Sequence, residues 1–183
     1  MSEAVASAVQ TYAADPTHSE VGFTVRHMVV SKVRGQFSKF SATIAIPEGS
    51  AIPSSFEATI DAASITTREE NRDNHLRSAD FFDVEKYSDI TFKSQSIEKK
   101  NENEFTVTGL LTIRDVTKAV TFTSIAQRLG KDPWGNQRVG FEATLRVARE
   151  DFGLTWNQAL EAGGVLVSSN VDINLEIQAV LAA

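Results

Sequence analysis

Three histidines, His18, His27 and His75, are the residues best suited to metal chemistry, since three imidazole nitrogens and a water complete a tetrahedral zinc site. Their spacing fits no short metal motif. Unclustered histidines more often satisfy a buried carbonyl or carboxylate, so no metal is expected. The densest collection of reactive side chains is Arg72, Asp73, His75, Arg77, Ser78, Asp80 and Asp83. A hydrolase would need a general base, an acid partner and a nucleophile there. Ser78 lacks the glycine-flanked turn of a nucleophile elbow, and the expected purpose of the cluster is to bond a local element to its surroundings through Arg–Asp pairing. A compatible alternative has Arg72, Asp73 and His75 meeting the polar head of a ligand at an entrance. The rival from a different class is an enzyme that modifies such a head group.

The 183 residues contain no cysteine, which excludes disulfides, thiolate metal sites, iron–sulfur clusters and cysteine nucleophiles. Eighteen Lys and Arg against 24 Asp and Glu leave a net charge of −6, and the basic residues are scattered along the chain. Neither nucleic acid nor an anionic membrane is therefore an expected partner. The opening MSEAVASAVQ has no basic n-region and no apolar run of signal-peptide length. No later stretch approaches the roughly 18 apolar residues of a membrane span. The expectation is a soluble cytoplasmic protein without an integral membrane segment. With 42% hydrophobic residues the chain can enclose one substantial interior, residues 1–11 being read as a flexible N-terminal segment and 12–183 as a single domain.

The elements that must position these side chains are strands, because period-two alternation dominates from residue 19 onward. Phe105, Val107, Gly109, Leu111 and Ile113 alternate with polar partners, leaving only Leu110 out of pattern. Val120, Phe122, Ser124 and Ala126 follow, then the Asp132-Pro133-Trp134-Gly135-Asn136 turn, then Val139, Phe141, Ala143, Leu145 and Val147. Val165, Val167, Ser169, Val171, Ile173, Leu175 and Ile177 form the last strand, which reads as the longest. The first half repeats the theme around Val21 to Val25, Val33 to Ile46, Phe56 to Ile60, and Ile90 with Phe92, giving about eight strands. One interruption, Thr67 to Asp83, carries a capping-box pattern (Thr67, Glu70) and reads as a short helix. Long antiparallel strands must protect their edges by closing into a barrel or stacking as a sandwich, and strand length favours the barrel. Gly109, Ala58, Ala126, Ala143 and Ser124 on the inward face would leave volume unfilled, pointing to a narrow apolar cavity. A dry, packed interior fits the alternation equally well. Trp134 reads either as a surface contact for a membrane or second subunit or, the commoner case, as a loop tryptophan folded over a barrel end.

Particular motifs go further. Asp15-Pro16-Thr17-His18-Ser19 leading to Val21-Gly22-Phe23, then Arg26-His27 and Val33-Arg34-Gly35-Gln36-Phe37, form one set. The continuous block Arg72 to Asp83, followed by Tyr87 and Ile90-Thr91-Phe92, forms a second. Gly109 to Ile113, Val116-Thr117-Lys118, and Arg149 with Asp151-Phe152-Gly153-Leu154 complete them. Nearly end to end, the chain resembles the YceI family of lipid- or polyisoprenoid-binding, lipocalin-like proteins.

That resemblance implies an all-β fold, an elongated eight-stranded antiparallel barrel with a short helix near one end. It implies a polyisoprenoid, isoprenoid quinone or fatty-acyl chain held inside, with no cofactor beyond that ligand and no defined reaction. The residues expected to contact the chain are Phe23, Val25, Phe37, Phe56, Ile60, Leu76, Phe81, Phe82, Phe92, Val107, Leu111, Phe122, Phe141, Leu145, Val167, Val171 and Ile173. From the residues themselves, the helix would act as a lid if Leu76 and one of Phe81 and Phe82 face the cavity, and core packing without gating fits the sequence equally well. A homodimer is an open alternative.

Overall fold

The computed structural model describes residues 7–161 and 163–182. In chain order its strands are β1 (Val9–Ala14), β2 (Glu20–His27), β3 (Ser31–Phe37), β4 (Phe40–Pro47), β5 (Ser55–Asp61), β6 (Ile65–Thr66), β7 (Asp89–Lys99), β8 (Glu104–Ile113), β9 (Val116–Lys131), β10 (Gln137–Ala148) and β11 (Val167–Leu181). One helix, α1 (Glu70–Arg77), stands between β6 and β7. β1 and β2 run in succession along β11, while β4 and β3 pair with β1 and β2, so each succession behaves as one long bent strand. β5 and β6 make a third, lying along β4 and β3. With β7 to β11 this gives eight long strands, and the pairing of β1 with β11 closes them into an antiparallel barrel. Closure satisfies the backbone of the terminal strands and removes the exposed edges that would template aggregation.

Burial along β8 alternates residue by residue, with Phe105, Val107, Leu111 and Ile113 inside. β9, at 16 residues, is slightly longer than β11, at 15. β11 begins at Val167; Val165 is exposed and lies outside it. A register shift between Val167 and Val171 leaves Ser169 exposed, because an irregular rung breaks the strict in–out alternation on which an inward Ser169 depended. Of the segment 1–11, residues 1–6 lie outside the described residues. Val9, Gln10 and Thr11, expected to be flexible, are paired with Pro47, Ile46 and Ala45. In this strand Tyr12 alone is fully buried, which is why its alternation is faint.

The helix also starts later than the capping-box pattern suggests. Arg68 takes a positive φ of 65°, which breaks the helical path after Thr67. Glu69 becomes the N-cap, its carboxylate accepting from the backbone N–H groups of Asn71 and Arg72 at 3.2 and 2.6 Å.

One end of the barrel is densely filled by Tyr12, Ile44, Ile46, Ile52, Phe105, Val139 and Ala179, all buried. Nearby, Arg138 donates to Asp15 at 2.9 Å and to Asp132 at 2.8 Å, fastening the β1–β2 bend to the β9–β10 turn. Trp134 in that turn is 82% exposed and projects outward instead of covering the barrel end. The Thr17 hydroxyl, with Arg138 and His18, holds the Asp15 carboxyl well below the usual carboxylate range, and Arg138 brings Asp132 to about 2. Depressed folded values contribute stability above the unfolded value and lose it as pH falls through the folded one. The thermal midpoint should therefore drop between about pH 4 and pH 2, and Arg138→Met should flatten that drop. Equal acid-side slopes in the two proteins, measured by thermal melts across this range, would exclude the clamp as its cause.

Candidate functional site

The other half of the barrel is hollow. β5 and β7 part company beyond the Asp61–Asp89 rung, where β6 leaves to follow β3. α1 and the following segment close the opening, placing Leu76, Phe81 and Phe82 over the interior. Arg77 secures this lid, donating to the carbonyls of Ala63 and Ile65 at 2.9 Å each. Beneath it lies a cavity of about 190 Å³. Its rim includes Val25 and Val167, next to the turn that joins β2 to β3.

Every residue expected to contact a ligand lines this cavity except Val107 and Phe141. These two lie one layer deeper, around a separate void of about 30 Å³. Phe56, Phe122, Leu175 and Ile177 border both spaces. The cavity therefore does not run the length of the barrel: large side chains in the filled half interrupt the tunnel that alternation alone suggested.

Glycines set the calibre in an unexpected way. A Cβ at Gly35 would stand 2.3 Å from Phe23 Cζ, and one at Gly109 would stand 2.4 Å from Phe92 Cζ. Each phenylalanine thus lies against the wall over a glycine on the neighbouring strand, which keeps its ring out of the lumen. Gly109 contributes to the hollow by receiving a ring, rather than by leaving empty volume at its own position. Phe92 also lies near Phe56 and Phe122, at 5.8 and 5.7 Å between centroids, within the range of favourable aromatic pairs.

Arg72, Asp73 and His75, placed at an entrance by the sequence reading, do not border the cavity. Asp73 is 6% exposed, and one carboxylate oxygen accepts from both the backbone N–H and the hydroxyl of Thr67, at 2.8 and 2.5 Å. Arg72 donates to the Thr67 hydroxyl at 2.7 Å and to its carbonyl at 2.9 Å. Together they tie Thr67, and with it the chain before α1, onto the helix that Glu69 caps. His75 bonds Asp80 at 2.9 Å and packs edge-on against Phe81 and Trp156. Ser78 is occupied as a donor to the His75 carbonyl at 2.6 Å. The polar cluster is spent in holding the lid, but not by the expected Arg–Asp pairing: Arg72 and Arg77 bond Thr67, Asn74 and backbone carbonyls, while Asp73 and Asp80 bond Thr67 and His75. Among the described residues no group of three His, Cys, Asp or Glu side chains could hold a metal ion, and no helix is long and apolar enough to cross a membrane.

Alternation also missed Phe152, Leu154 and, the one polar residue of the three, Arg149. It is 5% exposed and borders the cavity, yet its guanidinium turns outward to the carbonyls of Ser168, Leu154 and Trp156 at 2.9, 2.7 and 2.9 Å. Burial lowers its pKa, partly opposed by Glu150 at 3.8 Å. Its methylene stem faces inward, so the wall of the cavity is hydrocarbon and aromatic throughout. The only available signal was its place in the Arg149 to Leu154 motif, where Gly153 adopts the positive φ of 78° that ends the 3₁₀ turn.

A closed barrel with a lid helix and an apolar half is the setting in which the motifs quoted above take on meaning, and the YceI-like domain model matches residues 12–179. The chain belongs to the YceI family. A UPF0312 protein of Staphylococcus aureus is 39% identical over 160 residues, covering 86% of this chain and 90% of the relative. The crystal structure of the Campylobacter jejuni YceI protein superposes with a TM-score of 0.76 at 32% identity, over 92% and 96% of the two chains. A polyisoprenoid-binding domain from Saccharophagus degradans, implicated in plant cell wall breakdown, shares the fold at a TM-score of 0.71 and 16% identity, covering 94% of this chain and 99% of that one. Like its YceI relatives, this chain builds an antiparallel barrel; the apolar half-barrel is what its own residues place inside it.

Proposed function

We propose that the protein holds the apolar chain of a long-chain lipid inside the barrel, as a polyisoprenoid, an isoprenoid quinone or a fatty-acyl derivative, and shields it from water for storage, sequestration or transport. The observation that carries this reading is the uniformly apolar wall, to which even Arg149 contributes only its stem. Such a space rewards hydrocarbon and gives a charged or strongly polar head nothing to bond, so the head stays at the rim. Each methylene withdrawn from water contributes up to about 0.8 kcal/mol before ordering costs, and no single side chain needs to dominate affinity. The polyisoprenoid-binding domain from Saccharophagus degradans, which shares the fold, is consistent with this chemistry.

Organic extraction and native mass spectrometry of the purified protein are expected to recover a lipid in a stoichiometric amount. Repeated recovery of empty protein, combined with failure to keep an added polyprenyl quinone from precipitating, would remove this reading.

A further inference from the structure

Folding gathers charges that the sequence disperses. Arg26 faces Lys32 across the β2–β3 pair, Arg34 faces Thr24, and Thr24 adjoins Asp172, which pairs with Arg146 at 2.8 Å. Four cations and one acid thus share the outer wall beside the cavity rim, in a protein of net charge −6. Arg146 first, with Lys32 and Arg26 at longer range, holds the Asp172 carboxyl below its ordinary range, which reports the same positive field. Glu20, Glu142 and Glu176 share rungs farther from the rim; Glu161 stands in the neighbouring loop. Like charges facing across a strand pair are unfavourable, so Arg26 opposite Lys32 serves something other than local stability.

The turn above these cations is apolar. Met28, Val29 and Val30 are 51, 64 and 81% exposed, and Met28 and Val29 hold positive φ values of 51° and 68°. Left-handed geometry is costly for a β-branched valine, and asparagine or glycine would relieve it. Instead the turn projects three consecutive hydrophobic side chains. It is braced by the Met28 N–H donating to the Leu166 carbonyl at 2.8 Å. His27, at its base, pairs with Val167 on the cavity rim.

We infer that the β2–β3 turn docks on an anionic lipid bilayer, Met28, Val29 and Val30 entering the headgroup boundary while Arg26, Lys32 and Arg34 meet lipid phosphates. An apolar tip with a basic collar matches the chemistry of such a surface, where burial and charge attraction add. Its position beside the rim lets a chain pass between bilayer and barrel with little exposure to water. The purpose of this docking rests on the carrier reading above, but the docking itself does not.

Flotation of the full chain with phosphatidylcholine vesicles, with and without phosphatidylglycerol, tests it. The wild type should float with the anionic vesicles and be released as salt rises toward about 1 M. Val30→Asp, and separately Lys32→Glu with Arg34→Glu, should each weaken this binding about tenfold while uptake of the fluorescent fatty acid parinaric acid is unchanged. No preference of the wild type for anionic vesicles, or variants that float as it does, would overturn the inference. So would a variant that converts a dimer to monomer and leaves flotation untouched, since the turn would then be a self-association face. Flotation without any parinaric acid uptake by the wild type would uphold docking and remove the carrier reading instead.

Discussion

Ala58→Trp is expected to lower the affinity for a long-chain lipid by about 100- to 1,000-fold without lowering the thermal midpoint. Ala58 lies on β5 between Phe56 and Ile60, opposite Ala42 and Phe92, and borders the cavity. An indole there occupies room for about four or five methylenes, each worth about 0.8 kcal/mol on burial, so about 3–4 kcal/mol of binding is lost. The effect on the fold separates a hollow from a packed interior. In a filled core, enlarging alanine to tryptophan forces strain of about 1–3 kcal/mol or more and lowers the melting temperature. In a lipid cavity the indole enters empty space and gains contacts with the Phe92 and Phe122 region. Calorimetric melting alongside titration with parinaric acid reads both quantities. Binding at wild-type affinity would contradict the assignment of this cavity as the chain's site, and a midpoint several degrees lower would show that the interior is packed.

The strands were legible because a barrel wall has one apolar and one wet face, and that difference is written in β8 with period two. What alternation cannot report is depth along the barrel axis. Val107 and Leu111 have the same inward orientation on one strand, yet Leu111 borders the cavity and Val107 the small void beneath it. The difference comes from what the other strands contribute at each level, among them Ile44 on β4 and Val139 on β10 in the filled half. Gly35 and Gly109 were equally opaque, since a small residue in a strand signals either a gap or a seat for a neighbouring ring, and only cross-strand register decides between them. The helical segment failed at a single residue: a positive φ at Arg68 converts the capping-box threonine into an anchor for Asp73. Charge shows the same limit. Arg26, Lys32, Arg34 and Arg146 are spread over more than half the chain, and three strand pairings bring them together beside the cavity rim.

Arg149→Met should destabilise the protein by about 3–5 kcal/mol, a fall in melting temperature of about 10 °C for a chain of this size. Methionine nearly preserves the apolar volume beside the cavity, so the loss isolates the guanidinium. That group unites the start of β11, through the Ser168 carbonyl, with the segment after the 3₁₀ turn, through the carbonyls of Leu154 and Trp156. Removing it leaves three acceptors in an environment 5% open at the arginine, each costing about 1–3 kcal/mol if water does not reach it. Lysine cannot substitute, because one ammonium on a flexible stem does not reproduce a planar fork aimed at three separate carbonyls. The wild-type arrangement itself carries a desolvation cost, visible in the lowered pKa of Arg149. Its stabilisation therefore comes from organising loop carbonyls that would otherwise turn into the hydrophobic rim. Trp156, which packs with His75 and Phe81 on the lid, would lose its backbone tether in the variant. Limited proteolysis should accordingly cut within 153–166 sooner in Arg149→Met than in wild type, at a temperature where both remain folded. A variant with an unchanged melting temperature and cleavage rate would show that these carbonyls are satisfied without the arginine and that Trp156 is held against the lid by its aromatic contacts.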